Sequence, residues 1–147
     1  MDQDDLRKAL TVRQRSLIRA GAAEIFAKLT TADGLDAWFT HGAAVDPRPG
    51  GEIVFRCEGW GADRVTLSDR GRVLEIEPDR RFVFTWGTAP TRVELGLEPD
   101  PEGTVVTVTE DGWSPDLAGV RGCLENATGW GEALTLLKFH CEHGLTY

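Results

Sequence analysis

Few residues in this chain have the type and spacing to do chemistry, and those few argue for recognition rather than turnover. Glu110 and Asp111 stand side by side like an acid–base pair, yet neighbours on a strand point to opposite faces and cannot reach one substrate atom together. His140, Cys141 and His143 invite a metal reading. The two histidines can share a helix face, but Cys141 points elsewhere, no third ligand is near, and histidines at a helix C-terminus answer its dipole. No serine or cysteine carries the local signature of a nucleophile, and no glycine-rich phosphate loop is present. No catalytic residue, metal ligand or cofactor is therefore assigned. Arg56, Arg72, Glu94 and Glu110 are charged positions on strands where an inward orientation is conceivable, and a buried charge must be paired. Arg72 shares its alternation face with Leu74 and Ile76, which makes it the best candidate for an inward polar handle. Glu110 is the second anchor.

Aromatic residues supply the rest of a binding surface. Trp38, Trp86, Trp113 and Trp130 fall at element ends or on inward stripes, and Trp60 lies in the Gly59–Gly61 turn. Pockets are mostly apolar with a few polar handles, which suits such residues, although Trp38 and Trp130 also suit core packing. The candidate ligand-binding set is Trp38, Phe39, Phe55, Arg72, Trp86, Val106, Val108, Glu110, Trp113, Trp130 and Leu134.

These side chains must be carried by elements whose pattern changes along the chain. Residues 1–10 form a charged arm, and residues 11–147 read as one domain. Thr11–Ala20 reads as a strand with Val12 and Ile18 on one face. Ile25, Phe26 and Leu29 give a first short helix its apolar side. Leu35, Trp38 and Phe39 do the same for a second, with Asp33 as its N-cap. Pro47, Pro49, Gly50 and Gly51 mark a turn. Period-two stripes follow at Ile53, Phe55 and Cys57, at Arg72, Leu74 and Ile76, and at Phe82, Phe84 and Trp86. Val93, Leu95 and Leu97 form another, and Val106, Val108 and Glu110 the last. These are half-buried antiparallel strands joined by short turns. Beyond Ser114-Pro115 the apolar positions take helical steps through Leu117, Val120, Leu124, Ala127, Trp130, Leu134, Leu137 and Cys141. A break near Gly129 is expected from its glycines, and Gly144 is a natural C-cap.

Composition bounds the partners. The chain has 147 residues and a net charge of −8, with 41% hydrophobic and 27% charged residues. Counterion release on a phosphate backbone needs clustered Lys and Arg, and the group Arg70, Arg72, Arg80 and Arg81 is interleaved with acids, so nucleic acid is excluded as a partner. No apolar run approaches the roughly 20 residues that span a bilayer, and the acidic start is unlike a signal peptide. No membrane insertion and a cytoplasmic location are expected. Three cysteines cannot close a disulfide framework. Cys123 and Cys141 would sit about 27 Å apart on one helix, beyond bridging distance.

The layout is an α+β fold in which a curved six- to seven-stranded antiparallel sheet wraps around a long C-terminal helix, with two short helices near the N-terminus. A curled sheet and a straight helix cannot touch everywhere, so an enclosed apolar cavity is expected between them.

The ordered motifs resemble the START-like, or Bet v 1-like (SRPBCC), helix-grip superfamily, and more narrowly its branch of activator-of-heat-shock-protein-90-ATPase homologues. They are Ile18-Arg19-Ala20 leading to Ile25–Thr30, then Leu35-Asp36-Ala37-Trp38-Phe39 and Pro49-Gly50-Gly51. Gly71–Pro78, Arg81–Trp86, Gly103–Val106 and Gly129-Trp130 with Leu134 and Leu137 follow. The resemblance covers about residues 12–143. Gly21-Ala22 stands where many relatives have a proline, and Glu110-Asp111-Gly112-Trp113 where a histidine often precedes the glycine. The resemblance implies a cavity for an apolar or amphipathic ligand and transfers no catalytic residues.

The leading expectation is a binding protein for a small hydrophobic or aromatic molecule, acting as a monomer or homodimer, and the resemblance adds a role in stress response. One alternative is a protein-interaction module related to chaperone ATPase activators. The other is a cavity enzyme of cyclase or hydrolase type, with His41, Arg72 and Glu110 as the first residues to replace.

Overall fold

Period-two alternation produces seven strands, and a computed structural model describing residues 1–147 places them in one antiparallel sheet. The strands are β1 (Val12–Ile18), β2 (Ala44–Val45), β3 (Glu52–Trp60), β4 (Val65–Glu77), β5 (Arg81–Trp86), β6 (Thr91–Asp100) and β7 (Gly103–Asp111). Their spatial order is β1-β7-β6-β5-β4-β3-β2. The helices are α1 (Gln3–Ala9), α2 (Ala22–Thr30), α3 (Ala32–Asp36) and α4 (Leu117–His143). This is the α+β helix-grip architecture expected from the pattern. A core of 23 buried residues fills the concave side.

The stripes at Phe82 and Phe84, at Val93, Leu95 and Leu97, and at Val106 and Val108 all face inward. One stripe does not. The β4–β5 register shifts between Val73 and Glu75, so Leu74 is an extra residue on β4. Such a bulge reverses the facing of everything on one side of it. Val73 is consequently buried, Leu74 is exposed, and Arg72 lies on the outer face, where its guanidinium donates to the Gly50 carbonyl. The expectation that Arg72 points inward is corrected by this single inserted residue. A second register shift, between Cys57 and Trp60, bends the β3–β4 hairpin.

Helix α4 also departs from its expected stripe. Leu117 and Leu124 are each 64% exposed, and the inward line of the first half runs through Gly119, Cys123, Asn126 and Trp130 instead. The glycines do not break it: α4 is one helix of 27 residues, capped by Asp116, whose carboxylate accepts from the Gly119 N–H, and closed by Gly144 in the left-handed region. Gly119 is required by proximity, because a Cβ there would fall 1.7 Å from the Ser114 carbonyl oxygen. The cap of α3 is Thr31 rather than Asp33, its hydroxyl accepting from the Gly34 N–H. No helix is long and apolar enough to cross a membrane.

α4 packs against the edge strand β1 and stands off the middle strands. Gln14 donates to the Ala127 carbonyl and Lys138 to the Leu17 carbonyl, tying helix to strand. The helix therefore covers a free strand edge that would otherwise invite pairing. Aromatic rings bridge the wider gap behind it. Phe55 meets Phe84 at 5.5 Å and Trp86 at 5.0 Å between centroids.

Asp36 shapes the segment that delivers Phe39 to this gap. Its carboxylate accepts from the Thr40 hydroxyl at 2.6 Å and from the Gly42 and Ala43 N–H groups at 2.9 Å. Burial pulls the carboxyl upward, but these hydrogen bonds and nearby His41 together hold it below its ordinary 3.8. Asp36→Ala is expected to cost about 1–2 kcal/mol of stability at neutral pH, measured by urea unfolding. A depressed native carboxyl stabilises above its unfolded value and loses that contribution as pH falls through the native one. The gap between wild type and variant should therefore close in acid. A gap unchanged down to strongly acidic pH would reject the assignment.

Candidate functional site

The first half of α4 and the middle of the sheet are joined through one carboxylate. Glu110, on β7, is 0% exposed. It accepts from Trp86 Nε1 at 2.9 Å, from Trp130 Nε1 at 2.8 Å and from Asn126 Nδ2 at 3.0 and 3.1 Å. The Thr91 hydroxyl donates to it as well. The donors come from β5, β6 and α4. All are neutral, and an ionised carboxylate, being acceptor-only, matches them without conflict. The same bonds align the Trp86 and Trp130 rings, which stack at 5.3 Å with planes 29° apart.

In front of this pair the helix and sheet separate into an open groove rather than the enclosed void expected from the sequence. One hollow of about 300 Å³ has an apolar wall of Phe39, Trp60, Leu67, Trp86, Trp130 and Ala133, with Cys57, Asp69, Glu125 and Asn126 supplying polar atoms. A second, about 530 Å³, adjoins it along the first turns of α4 and shares Asp69, Trp86 and Asn126. Asp69 and Phe55 are register partners, so the Asp69 side chain shares the inner face with Phe55. Burial and the nearby charge of Glu110 push the Asp69 carboxyl above the usual aspartate range. Burial, with Asp69 and Asp36 adding to it, raises the Cys57 thiol to about 11, so it is neutral at physiological pH.

Of the residues singled out from the sequence, Phe39, Trp86 and Trp130 line the first hollow and Trp113 the second. Trp38, Phe55, Val106, Val108 and Leu134 are buried in the packed core and touch neither, and Glu110 lies behind the tryptophans. Trp38 is a core residue with a polar tie, its indole N–H donating to the Lys28 carbonyl. Trp113 lies on Gly122, where a Cβ would come within 2.9 Å of its ring, and its buried indole N–H has no partner. Cys57, Leu67, Asp69, Glu125, Asn126, Gly129 and Ala133 were missed. The alternation Leu67, Asp69, Gly71, Val73 could have revealed the β4 members, had its phase been followed from the start of the strand.

The proposed enzyme trio does not assemble. Arg72 is on the outer face, Glu110 is inaccessible, and exposed His41 uses Nδ1 to accept from the Glu58 N–H. No group of three or more His, Cys, Asp or Glu side chains is placed to hold a metal ion. The imidazole of His140 bonds instead to the Leu145 carbonyl.

Trp60 is braced by Tyr147, which lines a separate hollow with it rather than the groove. The Tyr147 ring packs on Trp60 at 5.1 Å while its hydroxyl accepts from the Gly61 N–H and donates to the Gly59 carbonyl. Trp60 in turn meets Phe39 at 5.2 Å.

Replacing Glu110 by Gln sets an amide N–H₂ among four donors. It is expected to destabilise by roughly 2–4 kcal/mol and lower Tm by about 5–15 °C in a chain of this size. Thermal unfolding followed by near-ultraviolet circular dichroism tests this, because the indole signals report the tryptophan stack. A variant with unchanged Tm and unchanged indole bands would remove Glu110 as the organising group.

Comparison with known proteins agrees with this architecture. The protein SSP2350 from Staphylococcus saprophyticus is 23% identical, with a TM-score of 0.75 over 93% of this chain and 95% of that one. The Aha1 dimer from Colwellia psychrerythraea is 26% identical, with a TM-score of 0.75 over 91% of this chain and 97% of that one. DynU16, a protein of the dynemicin biosynthetic locus, is 22% identical, with a TM-score of 0.75 over 91% of this chain but 48% of its own. No curated protein matches. The family model described as Activator of Hsp90 ATPase homolog 1-like protein matches residues 19–142, the span that carries strands β2 to β7, helices α2 and α3, and all of α4 but its last residue. The chain belongs to the Activator of Hsp90 ATPase homolog 1-like family.

Proposed function

We propose that this chain binds a small apolar or amphipathic molecule in the groove between the first half of α4 and strands β3 to β5. The observation that carries the reading is the stacked Trp86–Trp130 pair, held edge-on by Glu110 and facing an open hollow of about 300 Å³. Hollows of this size and lining suit a drug-sized body, and burial of apolar area supplies the driving force at roughly 25 cal/mol per Å². The structural likeness to DynU16 of the dynemicin locus is in keeping with a small-molecule role. Three free thiols suit the reducing cytoplasm.

Gly129 provides a test that separates binding from folding. It lines the hollow, and a Cβ built on it meets nothing within 4 Å. Gly129→Leu should fill the groove while improving helix propensity by roughly 0.8 kcal/mol, raising Tm by about 2–4 °C. Titration with the neutral fluorophore N-phenyl-1-naphthylamine is expected to saturate on the wild type and to fail on Gly129→Leu. Equal binding by both proteins would place the ligand elsewhere.

One observation favours a second reading, that of an interaction module. Leu117 and Leu124, seven residues apart on α4, share an outward face and are each 64% exposed. A self-association through this face, as a homodimer, predicts a dimer mass by light scattering that falls to the monomer mass in Leu117→Asp/Leu124→Asp. A monomer mass for the unaltered chain would exclude that dimer.

A further inference from the structure

The groove is acidic as well as aromatic, and nothing in the chain neutralises it. No Lys, Arg or His lines either hollow. Glu110 is fully buried behind the tryptophans, and each of its donors is uncharged. Asp69 lies half-buried at the junction of the two hollows, and Glu125 lines the first. None of the ion pairs in the structure involves Asp69, Glu110 or Glu125. The chain elsewhere pairs such groups readily, as Arg81 does with Glu75 and Glu94 over the buried Val83.

Uncompensated negative charge beside indole faces is a recognisable chemistry. The faces of Trp60, Trp86 and Trp130 carry the negative lobe of the ring quadrupole and attract cations. A carboxylate in a partly desolvated site attracts them further. The same field repels an anion and is indifferent to a neutral body. The net charge of −8 adds long-range attraction of the same sign.

We propose that the groove selects cationic amphiphiles: molecules with a protonated amine or quaternary ammonium head on an aromatic or aliphatic body. The head sits against Asp69 and the indole faces, and the body lies along the apolar wall of Phe39, Leu67 and Ala133. This inference rests on the groove being the ligand site proposed above. It specifies the charge of the occupant, which that reading leaves open.

Three probes with one bicyclic body separate the terms: (2-naphthylmethyl)trimethylammonium, 2-naphthylmethanol and 2-naphthylacetate, each titrated calorimetrically at low and at physiological salt. The expected result is that the ammonium binds about tenfold more tightly than the alcohol, with the acetate weakest, and that only the ammonium weakens as salt rises. Asp69→Asn should erase the ammonium's advantage over the alcohol. Glu98→Gln, which removes the same charge from an exposed strand position paired with Arg15, should leave the advantage intact. Where Asp69→Asn shifts Tm, Glu125→Gln on the helix side of the hollow is the second variant, and it should reduce the advantage. An alcohol that binds as tightly as the ammonium, or an acetate that binds more tightly, overturns the charge preference while the groove remains a ligand site. Failure of all three probes to bind overturns the preference together with the reading it rests on.

Discussion

A carboxylate removed from water governs how the helix meets the sheet in this protein. Burying an ionised group costs several kcal/mol unless its lone pairs are met, and Glu110 meets that condition only if β5, β6 and α4 bring their donors to one point. The donors come from three different elements, Asn126 and Trp130 both from α4, so the requirement fixes the elements relative to each other. The tryptophan stack follows from it. Trp86 and Trp130 turn their N–H edges to the two carboxylate oxygens, and their rings stack with planes 29° apart.

The rest of the interior is a wedge. α4 lies close on β1, while the middle strands curve away, so the space between them must be filled by large side chains or left open. Along the second half of the helix Ala133, Leu134 and Leu137 meet the sheet core and the space is filled. Along the first half the inward positions are Gly119, Cys123 and Asn126, which are small or polar, and the wedge opens to solvent as the groove. A packed interior at one end and a hollow at the other are thus products of one geometry. The family to which the chain belongs supplies the fold, and these residues decide how much of the wedge stays open.

Strand facing was legible wherever the alternation ran unbroken. The stripes on β5, β6 and β7, the left-handed cap at Gly144 and the family resemblance could all be read from residue order, because each depends on near neighbours in the chain. Arg72 was misplaced because a bulge leaves almost no local trace: the inserted Leu74 is a good strand residue and looks like part of the stripe it interrupts. Leu117 and Leu124 misled for a related reason. Apolar residues at helical spacing predict a buried face only when that face is turned toward the sheet, and the first turns of α4 turn Gly119 and Cys123 inward instead.

The residues alone therefore determined the α+β architecture, its element order and the aromatic richness of its interior, since periodicity and turn chemistry act over a few residues. Tertiary structure decided what those aromatics do. Glu110 became the hub of the helix–sheet junction rather than a ligand anchor, and Asp69 became the half-buried acid of the groove. Both outcomes depend on contacts between separate segments, the β3–β4 pairing that faces Asp69 inward and the donors from β5, β6 and α4 that meet Glu110. Such contacts have no signature in the spacing of residues along the chain, because they are properties of strand pairing and of the distance across a wedge.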